Sequence, residues 1–284
     1  MPAPPPDVTA VMAVYNEERY VEGGVRSLLD QDLPDGLTLE VVAVSDGSTD
    51  GTGAVLDRLA AEDDRLRVFH RPRSNQATCL AFAAEQARGR YVTNLDADDE
   101  ALPGRLAKQA AFLDEHPKVG WLGTGERRVD QDSGEATDRL LPTDDAAIRR
   151  LSARCIPYVH SSVMFRRSLV ERGVNYDPEQ AFMQDFEFFL RAAAVCEVAN
   201  LPEVLTMRRI RRASFYQSSL KKSRYNRRLS VLSARAVRQF GLPAWYLAFP
   251  AARLGYIYTP ESVRRTLRRV GGLTVRPAGG GEPR

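Results

Sequence analysis

Residues 39–52 read LEVVAVSDGSTDGT, an apolar run that stops at a cluster of turn-forming residues. The run is short, rich in valine and uninterrupted, which is typical of a strand buried on both faces of a sheet. The segment that follows, DGSTDGT, contains two glycines and two aspartates and predicts a tight loop that leads into a helix. This stretch therefore predicts one strand–loop–helix unit of an α/β fold.

The same unit recurs on both sides of this stretch. Apolar runs at 8–15, 66–70 and 91–95 alternate with segments that have helical spacing. The alternation predicts βαβ units, hence an α/β fold with a Rossmann-like, mostly parallel sheet and helices on both faces. In such a sheet, ligands bind beyond the carboxyl ends of the strands.

Carboxylates follow the predicted strands at that edge. They are Glu17 after the first strand, Asp46 after the second, and Asp96, Asp98 and Asp99 after the fourth. Clustered carboxylates repel each other unless a cation lies between them, and hard oxygen ligands suit Mg²⁺ or Mn²⁺. The alternative for the last cluster is an acidic turn in which Asp98 or Asp99 caps the next helix.

Two more aspartates have a chemical and a structural interpretation. Asp46 can accept hydrogen bonds from a ligand, while the loop after it can also be a helix N-cap formed by Thr49 or Asp50. Asp185, in the stretch MQDFE at 183–187, can be a general base if burial raises its pKa. It can equally be a plain N-cap.

Composition and missing motifs exclude several classes of protein and of functional site. The chain has 284 residues, of which 43% are hydrophobic and 27% charged, so it can form a packed core. Its three scattered cysteines exclude a disulfide framework and a CxxC-type zinc site. It contains neither a G-x-S-x-G elbow nor a P-loop, and no G-x-G-x-x-G follows the first strand.

Hydropathy predicts a cytoplasmic protein. The longest apolar stretch, 242–252, is about half the ~20 residues that span a bilayer. The first seven residues are rich in proline and carry neither a basic residue nor an apolar segment of the signal-peptide type.

Charge is divided unevenly along the chain. Residues 1–202 have a net charge of −12, and residues 203–284 have a net charge of +15. Beyond Glu203 we predict helical structure, mainly at 217–240 and near 260–270. Aromatic residues are interleaved with the arginines there, which favours either peripheral contact with an anionic membrane or a solvated helix packed on the body of the protein. No nucleic-acid-binding module is recognisable, so the sequence argues against a nucleic-acid partner.

Taken together, these pieces resemble a family 2 glycosyltransferase with the A-type (GT-A) nucleotide-diphospho-sugar fold. The similarity covers about residues 8–212. The matching segments, in the family's order and spacing, are 11–17 (VMAVYNE), 41–52 (VVAVSDGSTDGT), 94–99 (NLDADD), 160–167 (HSSVMFRR) and 184–187 (QDFE).

The resemblance implies an inverting transfer of a sugar from a nucleotide-diphospho-sugar, most commonly a uridine diphosphate sugar, to an acceptor hydroxyl. It implies a divalent metal, Mg²⁺ or Mn²⁺, that bridges the diphosphate. The implied roles are nucleotide binding for Tyr15 and Glu17, base recognition for Asp46, donor binding for Asp96, metal contact for Asp98 and then Asp99, and general-base catalysis for Asp185.

Four positions depart from the family's pattern, and the first is Ala13, which stands where the family often has proline. Ala77 replaces a frequent glycine, and Gln184 stands where a glutamate often precedes the base. Arg211 falls about where many relatives carry a histidine that assists at the diphosphate or metal. Because a guanidinium suits phosphate geometry, Arg208 or Arg211 is expected to bind the diphosphate, which would weaken the dependence on metal.

We expect a catalytic domain at 1–212, in which 8–100 bind the donor and 101–212 face the acceptor. A basic helical extension at 213–276 and a disordered tail at 277–284 follow. Two other functions stay open: an inactive GT-A-like binding or scaffold subunit, and a sugar-phosphate nucleotidyltransferase. The latter class usually has a Gly-rich basic loop after the first strand, where this chain has Tyr15-Asn16-Glu17-Glu18.

Overall fold

A computed structural model describes residues 5–211 and 223–259. The strands are Val8–Val14 (β1), Leu39–Asp46 (β2), Leu66–Arg71 (β3), Tyr91–Asn94 (β4), Glu100–Ala101 (β5), Val119–Asp130 (β6), Ala136–Arg139 (β7), Met164–Arg166 (β8) and Glu197–Ile210 (β9). The α-helices are Val21–Leu29 (α1), Thr52–Glu62 (α2), Gln76–Gln86 (α3), Arg105–Glu115 (α4), Asp145–Ser152 (α5), Ser168–Glu171 (α6), Gln184–Ala192 (α7), Ser223–Gln239 (α8) and Ala248–Tyr258 (α9).

The strands form one sheet in the order β3-β2-β1-β4-β8-β6-β9-β5, and β7 pairs with the second half of β6. The first four strands are parallel, as the βαβ pattern predicts. Strand β8 then enters antiparallel between β4 and β6, while β6 and β9 run parallel to each other. The prediction of an α/β fold with a mostly parallel sheet and flanking helices is confirmed.

Strands β1 and β2 are buried on both faces because helices cover both sides of the sheet. On β2, Leu39, Val41 and Ala43 belong to one apolar cluster, and Val42 and Val44 belong to the other. This alternation follows the period of two of a strand. Helices α1 and α2 pack on one face and α3 on the other, so the uninterrupted apolar run is explained.

The prediction of helical structure beyond Glu203 is wrong for the first residues of that section. They belong to β9, which pairs with β6 from Val119 opposite Glu197 to Asp130 opposite Ile210. Partner strands distant in sequence supply this pairing, and local composition does not reveal it. Strand β9 carries the first arginines of the basic section to the carboxyl edge of the parallel strands.

The stretch VHSSVMF at 159–165 predicts a further buried strand, and this prediction is also wrong for most of the stretch. A single 3-10 turn occupies His160–Ser162, and only the short strand β8 follows it. Ser162 explains the turn, because its hydroxyl and its backbone N–H both donate to the carbonyl of Val159, at 2.8 and 2.9 Å. Serine side chains that bond to nearby backbone compete with strand pairing in this way.

Helix α8 continues the core of the main body. Four of the side chains that it buries join the apolar cluster that contains Trp121 and Phe189, namely Tyr225, Leu229, Leu232 and Ala236. Helix α9, which hydropathy did not predict, packs on α8.

The helix predicted near 260–270 and the tail predicted at 277–284 lie outside the described residues, and the boundary at 212 stays a prediction.

No helix among the described residues is long and apolar enough to cross a membrane.

We expect Leu232→Ala to lower the free energy of unfolding by about 2–5 kcal/mol, because it removes a fully buried side chain from the shared core. The neighbouring Val231 is 53% exposed, so Val231→Ala is a matched control with an expected change within about 0.5 kcal/mol. Urea unfolding followed by circular dichroism measures both. Equal, small effects would show that α8 does not pack on the body.

Candidate active site

The loop after β1 is locked to the loop after β2. Asn16 adopts a left-handed backbone with φ of 53°, which asparagine tolerates better than most residues. Its side-chain oxygen accepts a 2.8 Å hydrogen bond from the N–H of Thr49, and its own N–H donates to Ser48 at 3.2 Å. These bonds fix the residues on either side, Tyr15 and Glu17, at the edge of the sheet.

Asp46 is a buried acceptor at the end of β2. Its Oδ1 accepts from the N–H and the hydroxyl of Ser74, both at 2.7 Å, and its Oδ2 accepts from Arg73. The Arg73 guanidinium in turn lies 3.6 Å from the centre of the Tyr15 ring. Sequence analysis missed Arg73, which connects Tyr15, expected to bind the nucleotide, with Asp46, expected to recognise the base.

Asp96 accepts several hydrogen bonds at the end of β4. Its Oδ1 lies 3.4 Å from His160 Nδ1 and its Oδ2 lies 2.9 Å from Ser161 Oγ. Burial alone would raise the pKa of Asp96, but the facing His160 and Arg208 bring it below its ordinary value. Asp96 is therefore an anion, and His160, to which sequence analysis assigned no role, compensates its charge.

Arg211 joins two carboxylates that are far apart in sequence. Its guanidinium donates to Glu17 at 2.8 and 3.1 Å and to Asp98 at 2.5 Å. Burial raises the pKa of Asp98, Asp96 raises it further, and Arg211 opposes both effects. Burial likewise raises the pKa of Glu17 against the effect of Arg211. The carboxylates of Glu17 and Asp98 thus favour a cation at the position that the Arg211 guanidinium occupies.

Asp99 is buried more deeply than its neighbours Asp96 and Asp98. Ser161 Oγ carries one hydrogen, yet it lies 2.5 Å from Asp99 Oδ2 and 2.9 Å from Asp96 Oδ2. Burial and the charge of Asp98 raise the pKa of Asp99 to about 8. The Ser161 hydroxyl can donate to either carboxylate and therefore links Asp99 to Asp96. The metal contact predicted for Asp99 stays a prediction.

Arg208 is held by a carboxylate that sequence analysis missed. The fully buried Glu126 on β6 accepts from Arg208 at 2.9 Å and also pairs with Arg128 and Arg139. Burial would raise the pKa of Glu126, but these arginines hold it below its ordinary value. Since Arg208 Nε lies 3.6 Å from Asp99, Glu126 fixes this guanidinium beside the carboxylate edge.

Asp185 lies in the first turn of α7, where the preceding residue, Gln184, donates a 2.7 Å hydrogen bond to Gln76 at the start of α3. The residue before that helix, Met183, has a left-handed φ of 56°, which is rare for a side chain of this kind. Burial raises the pKa of Asp185, and His160 opposes the shift. Among residues 5–211 and 223–259, no side chain hydrogen-bonds to its carboxylate, so this group is available as a base.

An open cleft of about 470 Å³ lies beside the Arg211 bridge. It is lined by Asn16, Glu17, Glu18, Arg19, Tyr20, Asp50 and Arg211. The structure thus brings Tyr15, Asp46 and Arg73 together at one end of the edge, and the Asp96–Asp98 carboxylates with Arg208 and Arg211 at the centre.

The sequence profile described as Glycosyl transferase family 2 matches residues 9–174. The provisionally assigned glycosyltransferase EpsE of Bacillus subtilis is 30% identical over 190 residues, which are 66% of either chain. The amylovoran biosynthesis glycosyltransferase AmsE of Erwinia amylovora is 28% identical over 201 residues, 69% of this chain and 74% of that one. The alignments thus leave about a third of EpsE unmatched.

Solved structures share the fold at low identity. The S. aureus TarS structure in complex with UDP matches with a TM-score of 0.66 at 19% identity, over 92% of this chain and 77% of that one. The mannosyltransferase PcManGT of Pyrobaculum calidifontis, in complex with GDP-Man and Mn²⁺, matches with a TM-score of 0.65 at 21% identity, over 96% and 81%.

We expect Glu126→Gln to lower the free energy of unfolding by about 3 kcal/mol at neutral pH, because three arginines lose their buried anion. The pKa of Glu126 is lower in the folded than in the unfolded chain, where it is near 4.5. Its stabilisation is therefore present above pH 4.5 and is lost as the pH falls through the lowered pKa. Unfolding of both proteins across this pH range measures the difference.

The exposed ion pair between Asp138 and Arg127 provides the control. Asp138→Asn removes a solvent-exposed carboxylate and should change the free energy of unfolding little. A difference between wild type and Glu126→Gln that stays constant towards acid pH would contradict the charge-based explanation.

Proposed function

This chain belongs to glycosyl transferase family 2, and from that premise we propose that it moves a sugar from a nucleotide-diphospho-sugar to an acceptor hydroxyl. One observation carries the proposal. The carboxylates of Asp96 and Asp98 lie with Arg208 and Arg211 at the carboxyl edge, while the carboxylate of Asp185, to which no described side chain hydrogen-bonds, lies in the first turn of α7. The charged edge can hold a diphosphate leaving group, and the separate carboxylate of Asp185 can take the proton of an attacking hydroxyl.

The nucleotide base has a candidate site at Tyr15, Asp46 and Arg73. The Tyr15 ring offers a stacking face, which Arg73 covers here, and the Asp46 carboxylate can accept from a base N–H. TarS binds UDP and PcManGT binds GDP-Man, so the nucleotides bound by these two proteins do not indicate which base this chain prefers. We take a uridine diphosphate sugar as the first donor to test.

The residues fit a divalent cation that shares its ligands with the donor. No group of three His, Cys, Asp or Glu side chains in the described part of the chain could hold a metal alone. Mg²⁺ and Mn²⁺ commonly use one or two carboxylates and complete their coordination with phosphate and water. Asp98 and Asp96 would hold the ion, which would neutralise charge on the diphosphate when bound.

Arg211 has to leave Asp98 for this carboxylate to bind a cation. Freed from Asp98, its guanidinium can turn to the diphosphate, where it would supply positive charge itself. Arg208 stays fixed by Glu126 and presents a second positive charge at the same edge. These arginines stabilise negative charge as it develops on the departing phosphate oxygen.

Asp185 acts on the acceptor. Its raised pKa makes the carboxylate a stronger base than an ordinary aspartate. The acceptor oxygen forms a bond to the anomeric carbon while the bond from that carbon to the phosphate oxygen breaks, and the hydroxyl proton moves to Asp185. Attack opposite the leaving group inverts the anomeric centre.

We expect UDP with Mn²⁺ to raise the melting temperature by about 5–10 °C at a concentration about a hundredfold above its Kd. Asp98→Asn should remove the part of the shift that depends on metal, because it removes an anionic ligand. Differential scanning fluorimetry with UDP and GDP, with and without Mn²⁺, measures this. The exposed Asp35→Asn variant is the control and should behave as wild type.

A shift that Mn²⁺ does not enlarge would assign the phosphate to Arg208 and Arg211, and Arg211→Ala should then abolish it. No shift with either nucleotide would contradict the proposed donor site.

We expect Asp185→Asn to lower kcat for sugar transfer by about a hundredfold to ten-thousandfold, with nucleotide binding unchanged, since it removes the base but not the donor site. In the wild type, kcat should fall as the pH drops through the raised pKa of Asp185, above the 3.8 of an ordinary aspartate. Glu179→Gln, an exposed change on the preceding segment, is the control. Full activity in Asp185→Asn would contradict the assignment.

A further inference from the structure

Helices α8 and α9 form a pair without acidic side chains. Residues 223–259 contain six arginines and neither aspartate nor glutamate. Three of these arginines turn towards the body, where Arg228 donates to Gln180, Arg235 pairs with Glu187 and Arg253 donates to the carbonyl of Arg154. The pair therefore presents positive charge to its surroundings.

The outer side of α8 is a basic stripe. Arg224, Arg227 and Arg238 are exposed, and the spacing of three, four and seven residues places them on one face together with Val231. The opposite face carries the buried residues that join the core. Charge on one side and packing on the other make α8 amphipathic.

Helix α9 and the turn before it expose apolar rings instead. Trp245 is 62% exposed and Tyr258 is 69% exposed, and Tyr256 lies between them in sequence at 40%. The centre of the Trp245 ring is 4.1 Å from that of Tyr246 and 5.9 Å from that of Phe249. From Phe240 to Tyr258 the sole charged residue is Arg253, which turns inward. The exposed side of α9 is thus apolar and aromatic.

We propose that helices α8 and α9 dock on the surface of an anionic lipid bilayer. Arginines attract anionic headgroups, and tryptophan and tyrosine rings favour the layer between headgroups and acyl chains. Neither helix is able to span the bilayer, so the contact is interfacial. The charge of the pair and the chemistry of its exposed rings both match this partner.

The docking surface lies next to the proposed acceptor side. Helix α8 packs on α7, whose first turn carries Asp185, and Arg228 hydrogen-bonds to Gln180 just before that helix. A bilayer held by α8 and α9 would place a lipid-borne hydroxyl one helix away from the base. This second step rests on the proposed function, whereas docking itself does not.

Trp245 provides the direct test. The other tryptophan, Trp121, is 1% exposed, so changes in emission report on Trp245. Phosphatidylcholine vesicles that contain phosphatidylglycerol should shift the emission of the full chain to the blue and protect it from iodide. Phosphatidylcholine alone should do neither, and Trp245→Phe should abolish the change.

Charge removal gives a second, quantitative test by vesicle sedimentation. Arg224→Gln, Arg227→Gln and Arg238→Gln together should weaken binding by about a hundredfold, at about fivefold for each arginine. The matched control, Arg58→Gln, Arg65→Gln and Arg127→Gln, removes the same charge from exposed sites elsewhere and should bind nearly as wild type. All variants should keep the melting temperature and the nucleotide-induced shift of the wild type.

Four results would overturn the proposal. Equal loss in both triple variants would mean attraction by net charge alone. Binding to a polyanion such as RNA with no response to vesicles would assign the stripe to nucleic acid. A concentration-dependent increase in mass would assign the apolar face to a second copy of this chain. Protection of Trp245 from iodide in the free protein would mean that the rest of the chain already covers it.

Discussion

The site depends on arginines that neutralise carboxylates at the carboxyl edge of the sheet. Asp96, Asp98 and Glu17 meet there because parallel strands end at one edge, and each partly buried anion destabilises the others. Strand β9 reaches the same edge and supplies Arg208 and Arg211. Without that strand the acidic loops would repel each other, so the pairing of β9 with β6 underlies the chemistry of the site.

The parallel half of the fold could be predicted because its signals are local. The uninterrupted valine-rich run of β2, the turn residues after it and the helical spacing of α1 to α3 all lie within short windows. The family itself followed from five short motifs in order, and the profile match confirms it. Carboxylates placed directly after strands were expected at one edge, and the structure brings them there.

The rest depends on contacts between distant segments. Glu126 stands in the middle of a strand without any motif, and only the fold shows that it holds Arg208. Arg73 and Tyr15 are separated by more than fifty residues, and their stacking needs the loops after β1 and β3 to meet. His160 was visible within a motif, but its role follows from the 3.4 Å contact with Asp96. The prediction of one strand at 159–165 is wrong because a serine hydroxyl bonds to nearby backbone and favours a turn there, which hydropathy alone does not reveal.

The left-handed backbone at Met183 has a consequence for protein engineering. A non-glycine residue in that conformation costs of the order of 1 kcal/mol, which the surrounding packing compensates. Libraries selected for heat tolerance alone would favour glycine or a rebuilt turn at this position and would let the start of α7 relax. The chain would gain robustness and lose the placement of its neighbouring carboxylate, a trade-off between stability and activity located at one residue.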